Sequence, residues 1–191
     1  MEKRSLGIVA MVHGIVGLAS CLCLIVFYLG ADAFGSINDV GNAVLGVLSG
    51  VLAWWCQQSG LTVRAVLVGI AILGAAVTVV GSVLVLTEAT GFFLAGLVSS
   101  TGFGLIGVWL VAVSRSCPPH VRRAGLVAGV VMLLGLINAP GIAMGLDDMG
   151  AAPAWTYLGG LSWAGTYLLF PAWSLRLSQT LRPAEQSRTP G

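Results

Sequence analysis

Two residues in this chain combine polarity, reactivity and a position deep inside long apolar stretches: His13 and Asn138. An imidazole exchanges a proton near neutral pH and can both donate and accept hydrogen bonds. A histidine at membrane depth is therefore a candidate for a proton relay or a ligand site. The competing reading is a neutral ring bonded to a neighbouring helix, and it is preferred here. Asn138 is followed by Ala139 and Pro140. Proline has no amide hydrogen and obstructs the carbonyl four residues earlier, so Pro140 predicts a kink. The Asn138 amide would then either satisfy the freed backbone or hold a substrate. At about 1.5 Å per residue, His13 lies roughly 10 Å from one boundary and Asn138 roughly 12 Å from the other, which are comparable depths. Ser49 and the run Ser99-Ser100-Thr101 fall in the same layer. His13, Asn138, Ser49 and Ser100 thus outline a candidate polar belt at the midplane. Carriers more often break helices in matching halves, and here proline visibly interrupts only one.

Other reactive residues point less far. Asp147-Asp148 is the one adjacent acidic pair, but neighbouring side chains point apart and no histidine falls on that side. Cys117-Pro118-Pro119-His120 offers two metal ligands where a site needs three or four, and is read as a stiff turn. Cys21, Cys23, Cys56 and Cys117 all fall away from the oxidising side, so no structural disulfide is expected. Asp39 and Asn42 are read as opening the second helix at the outer surface. No catalytic residue, metal or cofactor is assigned.

The elements that must position these residues follow from composition. Of 191 residues, 57% are hydrophobic and 8% charged, with a mean hydropathy of +0.97. A soluble fold could not cover so much apolar surface. Apolar runs at 6–29, 37–56, 63–86, 91–113, 124–146 and 156–177 each have the roughly 20 residues that cross a bilayer as a helix. They lack the alternating polarity of barrel strands. The expected fold is an all-α membrane protein, a single six-transmembrane-helix bundle over 1–177, with a flexible polar tail over 178–191.

All nine basic residues, including Lys3, Arg4, Arg64, Arg115, Arg122, Arg123 and Arg176, fall on one side of this topology. That side is the cytoplasm by the positive-inside rule, which puts both termini there. Asp32, Asp39, Glu88, Asp147 and Asp148 fall opposite. The bases are spread over short segments beside anionic lipid, so nucleic-acid binding is excluded and the bilayer is the expected partner. Ala31-Asp32-Ala33 imitates a signal-peptide cleavage site, but the preceding apolar run is too long for a signal peptide.

Twenty-seven glycines imply close helix contacts. Four-residue spacing marks Gly46 with Gly50, Gly125 with Gly129, and Gly141 with Gly145, while Gly96, Ser100 and Gly104 form a longer stripe. Some of these faces could meet a second copy or another membrane protein. Trp54, Trp55, Trp109 and Trp173 fit an aromatic belt at the cytoplasmic interface. A faint hairpin repeat is carried by Arg64-Ala65-Val66-Leu67-Val68 and Arg123-Ala124-Gly125-Leu126-Val127.

Short loops, few lysines and the ending Trp163-Ala164-Gly165-Thr166-Tyr167-Leu168-Leu169-Phe170-Pro171-Ala172-Trp173 give a loose likeness. In these features the chain resembles small polytopic membrane proteins of GC-rich bacteria, which implies the cytoplasmic membrane and no activity at any residue. The leading expectation is an accessory or interaction component of a membrane complex. A small-solute or ion transporter using the midplane site comes next, and a membrane-embedded lipid-modifying enzyme third.

Overall fold

The computed structural model describes residues 2–61 and 63–181. Its helices are α1 (Glu2–Tyr28), α2 (Ala33–Gln58), α3 (Ala65–Leu86), α4 (Phe92–Ser114), α5 (Pro119–Leu133), α6 (Ala139–Ala143), α7 (Trp155–Gly160), α8 (Ser162–Ala164) and α9 (Phe170–Leu181). A 3-10 turn, Leu134–Asn138, joins α5 to α6, and a wide π-helical turn, Gly165–Leu169, joins α8 to α9. The described residues are helical without strands. Four single helices, α1 to α4, and the composite Pro119–Ala143 are long and apolar enough to cross a membrane.

The sixth apolar run behaves differently from the unbroken span expected over 156–177. It is assembled from α7, α8, the π turn and α9, so the interruption near Pro140 is not the sole break. Pro171 is the second residue of α9, two positions past the π turn, and is buried mid-segment. It cannot supply an amide hydrogen, and a widened turn is one way a helix absorbs that loss. The same helix runs to Leu181 and buries Ser178, four residues beyond the boundary at 177. The rest of the tail, including Arg182 and Arg188, lies outside the described residues.

Sequential helices pack side by side around a ring in which α9 closes against α1. Both described ends therefore meet at one end of the bundle, where Gly7 faces Ser178 and Leu181. His120 in the first turn of α5 bonds Thr180 of α9 at 3.2 Å at this same end. Leu6, Leu45, Leu52, Ile106, Trp109 and Trp173 fill the core in the half nearest it. Large apolar side chains such as Leu22, Ile25, Leu73, Val127 and Val130 face outward. An apolar exterior is what a hydrocarbon solvent selects.

The most extensive contact joins α3 to α4. A methyl group on Gly74 would lie 2.6 Å from the carbonyl oxygen of Gly102, and one on Gly102 would lie 2.6 Å from that of Gly74. Gly46 and Gly50 seat α2 on Thr78 and Ala75, and Gly129 seats α5 on Gly107 and Val111. Two marked glycines do something else. Gly145 takes φ +65° past the end of α6, a left-handed conformation suited to a helix stop rather than a helix face. Gly96 has open space around it.

Three further expectations are corrected. Trp109 and Trp173 are fully buried and meet edge to face with ring centres 6.2 Å apart, so they belong to the core; Trp54 is exposed as a belt residue would be. Arg64 immediately precedes α3, whereas Arg123 lies inside α5, so the two repeated segments are not equivalent. And α2 begins at Ala33, which makes Asp39 and Asn42 interior residues of that helix rather than its opening.

At the opposite end Asp147 clamps the start of α4. Its two carboxylate oxygens accept from the amides of Gly91 (2.6 Å) and Leu94 (3.2 Å), two donors that the helix itself leaves unsatisfied. Asp147→Ala is expected to cost about 1 kcal/mol, the usual worth of an N-terminal cap, read as a lower melting temperature in detergent. Asp148→Ala, whose carboxylate accepts only from Gly150 two residues on at 2.7 Å, should cost less.

Candidate functional site

The four polar residues singled out from the sequence separate into two pairs. His13 and Ser49 lie together, as do Asn138 and Ser100, but no hydrogen bond among the described residues joins the two pairs, and it is the second that borders a cavity.

His13 is completely buried between α1, α2 and α9. Its Nε2 lies 3.2 Å from Ser49 Oγ and its Nδ1 lies 2.9 Å from Ser174 Oγ. Ser49 spends its single hydroxyl hydrogen on the Leu45 carbonyl at 2.7 Å, so it can only accept from the ring. Nε2 therefore carries the hydrogen, and Nδ1 accepts from Ser174. The neutral ring is satisfied on both sides, and it packs on Phe170 with centres 4.2 Å apart. A ring with both nitrogens so engaged and no solvent contact binds helices together and holds nothing else.

Asn138 closes the 3-10 turn ahead of Pro140 and is buried, while Pro140 itself is exposed. Its Nδ2 donates to Ser100 Oγ at 2.7 Å, and Ser100 donates onward to the Leu97 carbonyl at 2.9 Å. Its Oδ1 is buried with no hydrogen-bond partner. The amide thus ties the kinked segment to α4 and leaves one acceptor over.

Asn138 and Ser100 border a cavity of about 420 Å³ in the half of the bundle away from the basic end. That volume falls in the range of small-molecule sites. Asn38, Asp39 and Asn42 of α2 line it as well, opposite Tyr167 in the π turn. The Tyr167 hydroxyl lies 2.9 Å from Asn38 and 2.8 Å from Asn42 at their amide oxygens. A phenol has one hydrogen, so it donates to one amide and the other must be turned to present its nitrogen. Aromatic rings from Tyr28, Phe92, Phe93, Tyr157 and Trp163 complete the wall, and Trp163 stacks on Tyr167 with centres 5.3 Å apart.

Asp39 is the residue that sequence reasoning misplaced. It is 9% exposed, and its carboxylate has no hydrogen-bond or ion-pair partner among the described residues. Among the described residues no lysine, arginine or histidine lines the cavity. The available signal was the spacing of Asn38, Asp39 and Asn42, which puts polar groups on one side of a helix whose remainder is apolar.

The cysteine and histidine of the α4–α5 turn face different partners. Cys117 Sγ sits 3.6 Å from the Val113 carbonyl, while His120 turns to Thr180. Among the described residues no three histidine, cysteine or acidic side chains gather as a metal would require. Burial pushes the Cys117 thiol up to about 11, against a smaller opposing pull from Arg122. The thiolate is the reacting form, so maleimide labelling of Cys117 in the folded protein should be slow at pH 7 and climb about tenfold per pH unit up to pH 10. A flat rate across that range would contradict the buried placement.

Compared with known proteins, the chain matches no protein-family model, no curated protein and no solved structure.

Proposed function

We propose that this chain is a multi-pass protein of a bacterial-type cytoplasmic membrane, with six spans and both ends cytoplasmic, that binds a small solute in its outward half as a carrier or a solute-sensing subunit. The charge asymmetry supports the orientation. The observation that carries the solute reading is the cavity itself. Six polar side chains, Asn38, Asp39, Asn42, Ser100, Asn138 and Tyr167, converge on it from four parts of the chain. A purely structural accessory protein explains His13, whose bonds are complete, but gives no reason to keep an unpaired carboxylate beside a void. A lipid-modifying enzyme is not favoured, because Asp147 is committed to the start of α4.

The test uses Gly96, which lines the cavity from α4 and has room for a side chain. Gly96→Leu should fill the void without disturbing a helix contact. Native mass spectrometry of the full chain in nanodiscs is expected to find a small molecule on the wild type and none on Gly96→Leu. Identical spectra, with a co-purifying protein on both, would instead favour an accessory subunit of a membrane complex.

A further inference from the structure

Resting on that reading of the cavity, we infer that its ligand is an organic cation with an apolar or aromatic body, anchored by Asp39. Asp39 stands six residues after the first residue of α2, about 9 Å along the helix axis, so its charge lies well inside the bundle. A carboxylate at such depth is costly unless it is paired. Nothing among the described residues pairs it. The adjacent amides of Asn38 and Asn42 are both turned to Tyr167, and among the described residues no basic side chain reaches the cavity wall.

The remaining wall decides the chemistry. An anion would meet Asp39 as a like charge, and a neutral solute would leave the carboxylate unpaired. A bare metal ion needs a shell of oxygen ligands, whereas the cavity is bounded largely by apolar and aromatic side chains and the described residues hold no acidic cluster. A quaternary or protonated amine carrying an apolar body satisfies both features. Its charge meets Asp39, and its body meets the rings of Trp163, Tyr157, Phe92 and Phe93, whose faces attract cations as well as apolar surface.

The experiment compares two probes of equal shape on the full chain in nanodiscs: 3-hydroxyphenyltrimethylammonium and its neutral carbon isostere, 3-tert-butylphenol. Binding is read by calorimetry against Gly96→Leu, which subtracts partition into lipid. The wild type should favour the cation by about tenfold or more, and Asp39→Asn should remove that preference while leaving the isostere's affinity unchanged. Asp39→Glu, which keeps the charge, should retain the preference; it decides the matter if Asp39→Asn loses both probes through misfolding. Equal affinity of the wild type for both probes, or a preference that survives Asp39→Asn, overturns the organic-cation assignment while leaving a solute cavity in place. Displacement of the cation by an equal concentration of sodium overturns it too. Failure of the wild type to bind either probe overturns the assignment and the solute reading together.

Discussion

Gly102→Leu is expected to abolish the folded bundle, whereas Gly96→Leu, in the same helix, is expected to melt within about 1 kcal/mol of the wild type. The two positions have the same residue and similar apolar neighbours, and the difference lies in what faces them. A first side-chain carbon at Gly102 would sit 2.6 Å from the Gly74 carbonyl oxygen and 2.6 Å from the Thr78 amide nitrogen. Carbon needs about 3.5 Å from such atoms, and these are backbone atoms of a second helix, with no rotamer that could swing clear. The helices must separate by nearly an ångström along a contact that includes Gly81 against Ser99, and Gly135 stands equally close to Ser100 on the other side of α4. Overpacking of this kind costs 1–3 kcal/mol even in cores that yield by side-chain motion, so a loss above about 3 kcal/mol is expected where backbone must move. Size-exclusion profiles and thermal melts in one detergent compare the pair directly. A Gly102→Leu protein that elutes and melts like the wild type would mean that α3 and α4 are not in contact here.

The same pair shows how far the sequence reaches. Glycine density announces tight helix packing, because small residues have little other use in a lipid-facing helix. It does not say which glycine touches and which lines a void, since that depends on the rotation of each helix about its axis. Five helices long and apolar enough to cross a membrane are legible from runs of apolar residues. Two errors have one physical origin, the use of hydropathy to set helix limits. The second apolar run omits residues 33–36, which moved the start of α2 inward and made an interior carboxylate resemble a terminal one. In the last segment the apolar average is high throughout, and a π turn leaves no trace in it. His13, Ser49, Asn138 and Ser100 were legible as polar groups at depth. Their division into two pairs was not, because His13's second partner, Ser174, lies 161 residues away near a helix end.

That partner makes His13 the site of the second large effect. His13→Ala removes an imidazole that is wholly enclosed, its contact with Phe170 at 4.2 Å between ring centres, and hydrogen bonds to Ser49 and Ser174. These contributions are unequal. Hydrogen bonds between membrane helices average about 0.6 kcal/mol each, because the separated helices also find polar partners. Deleting a large buried side chain and leaving its space empty costs about 2–5 kcal/mol. His13→Ala is therefore expected to lose about 3 kcal/mol, and Ser49→Ala with Ser174→Ala in one chain closer to 1 kcal/mol, measured by unfolding in mixed micelles. The comparison also separates structure from function. The serine double variant keeps the ring and its packing but deprives both nitrogens of their partners, so a ring that only joins α1, α2 and α9 should leave ligand binding in the Asp39 cavity unchanged. Equal losses of stability in the two variants would move the weight to hydrogen bonding. A serine double variant that stays folded but no longer binds solute would make His13 a proton-handling group coupled to the cavity.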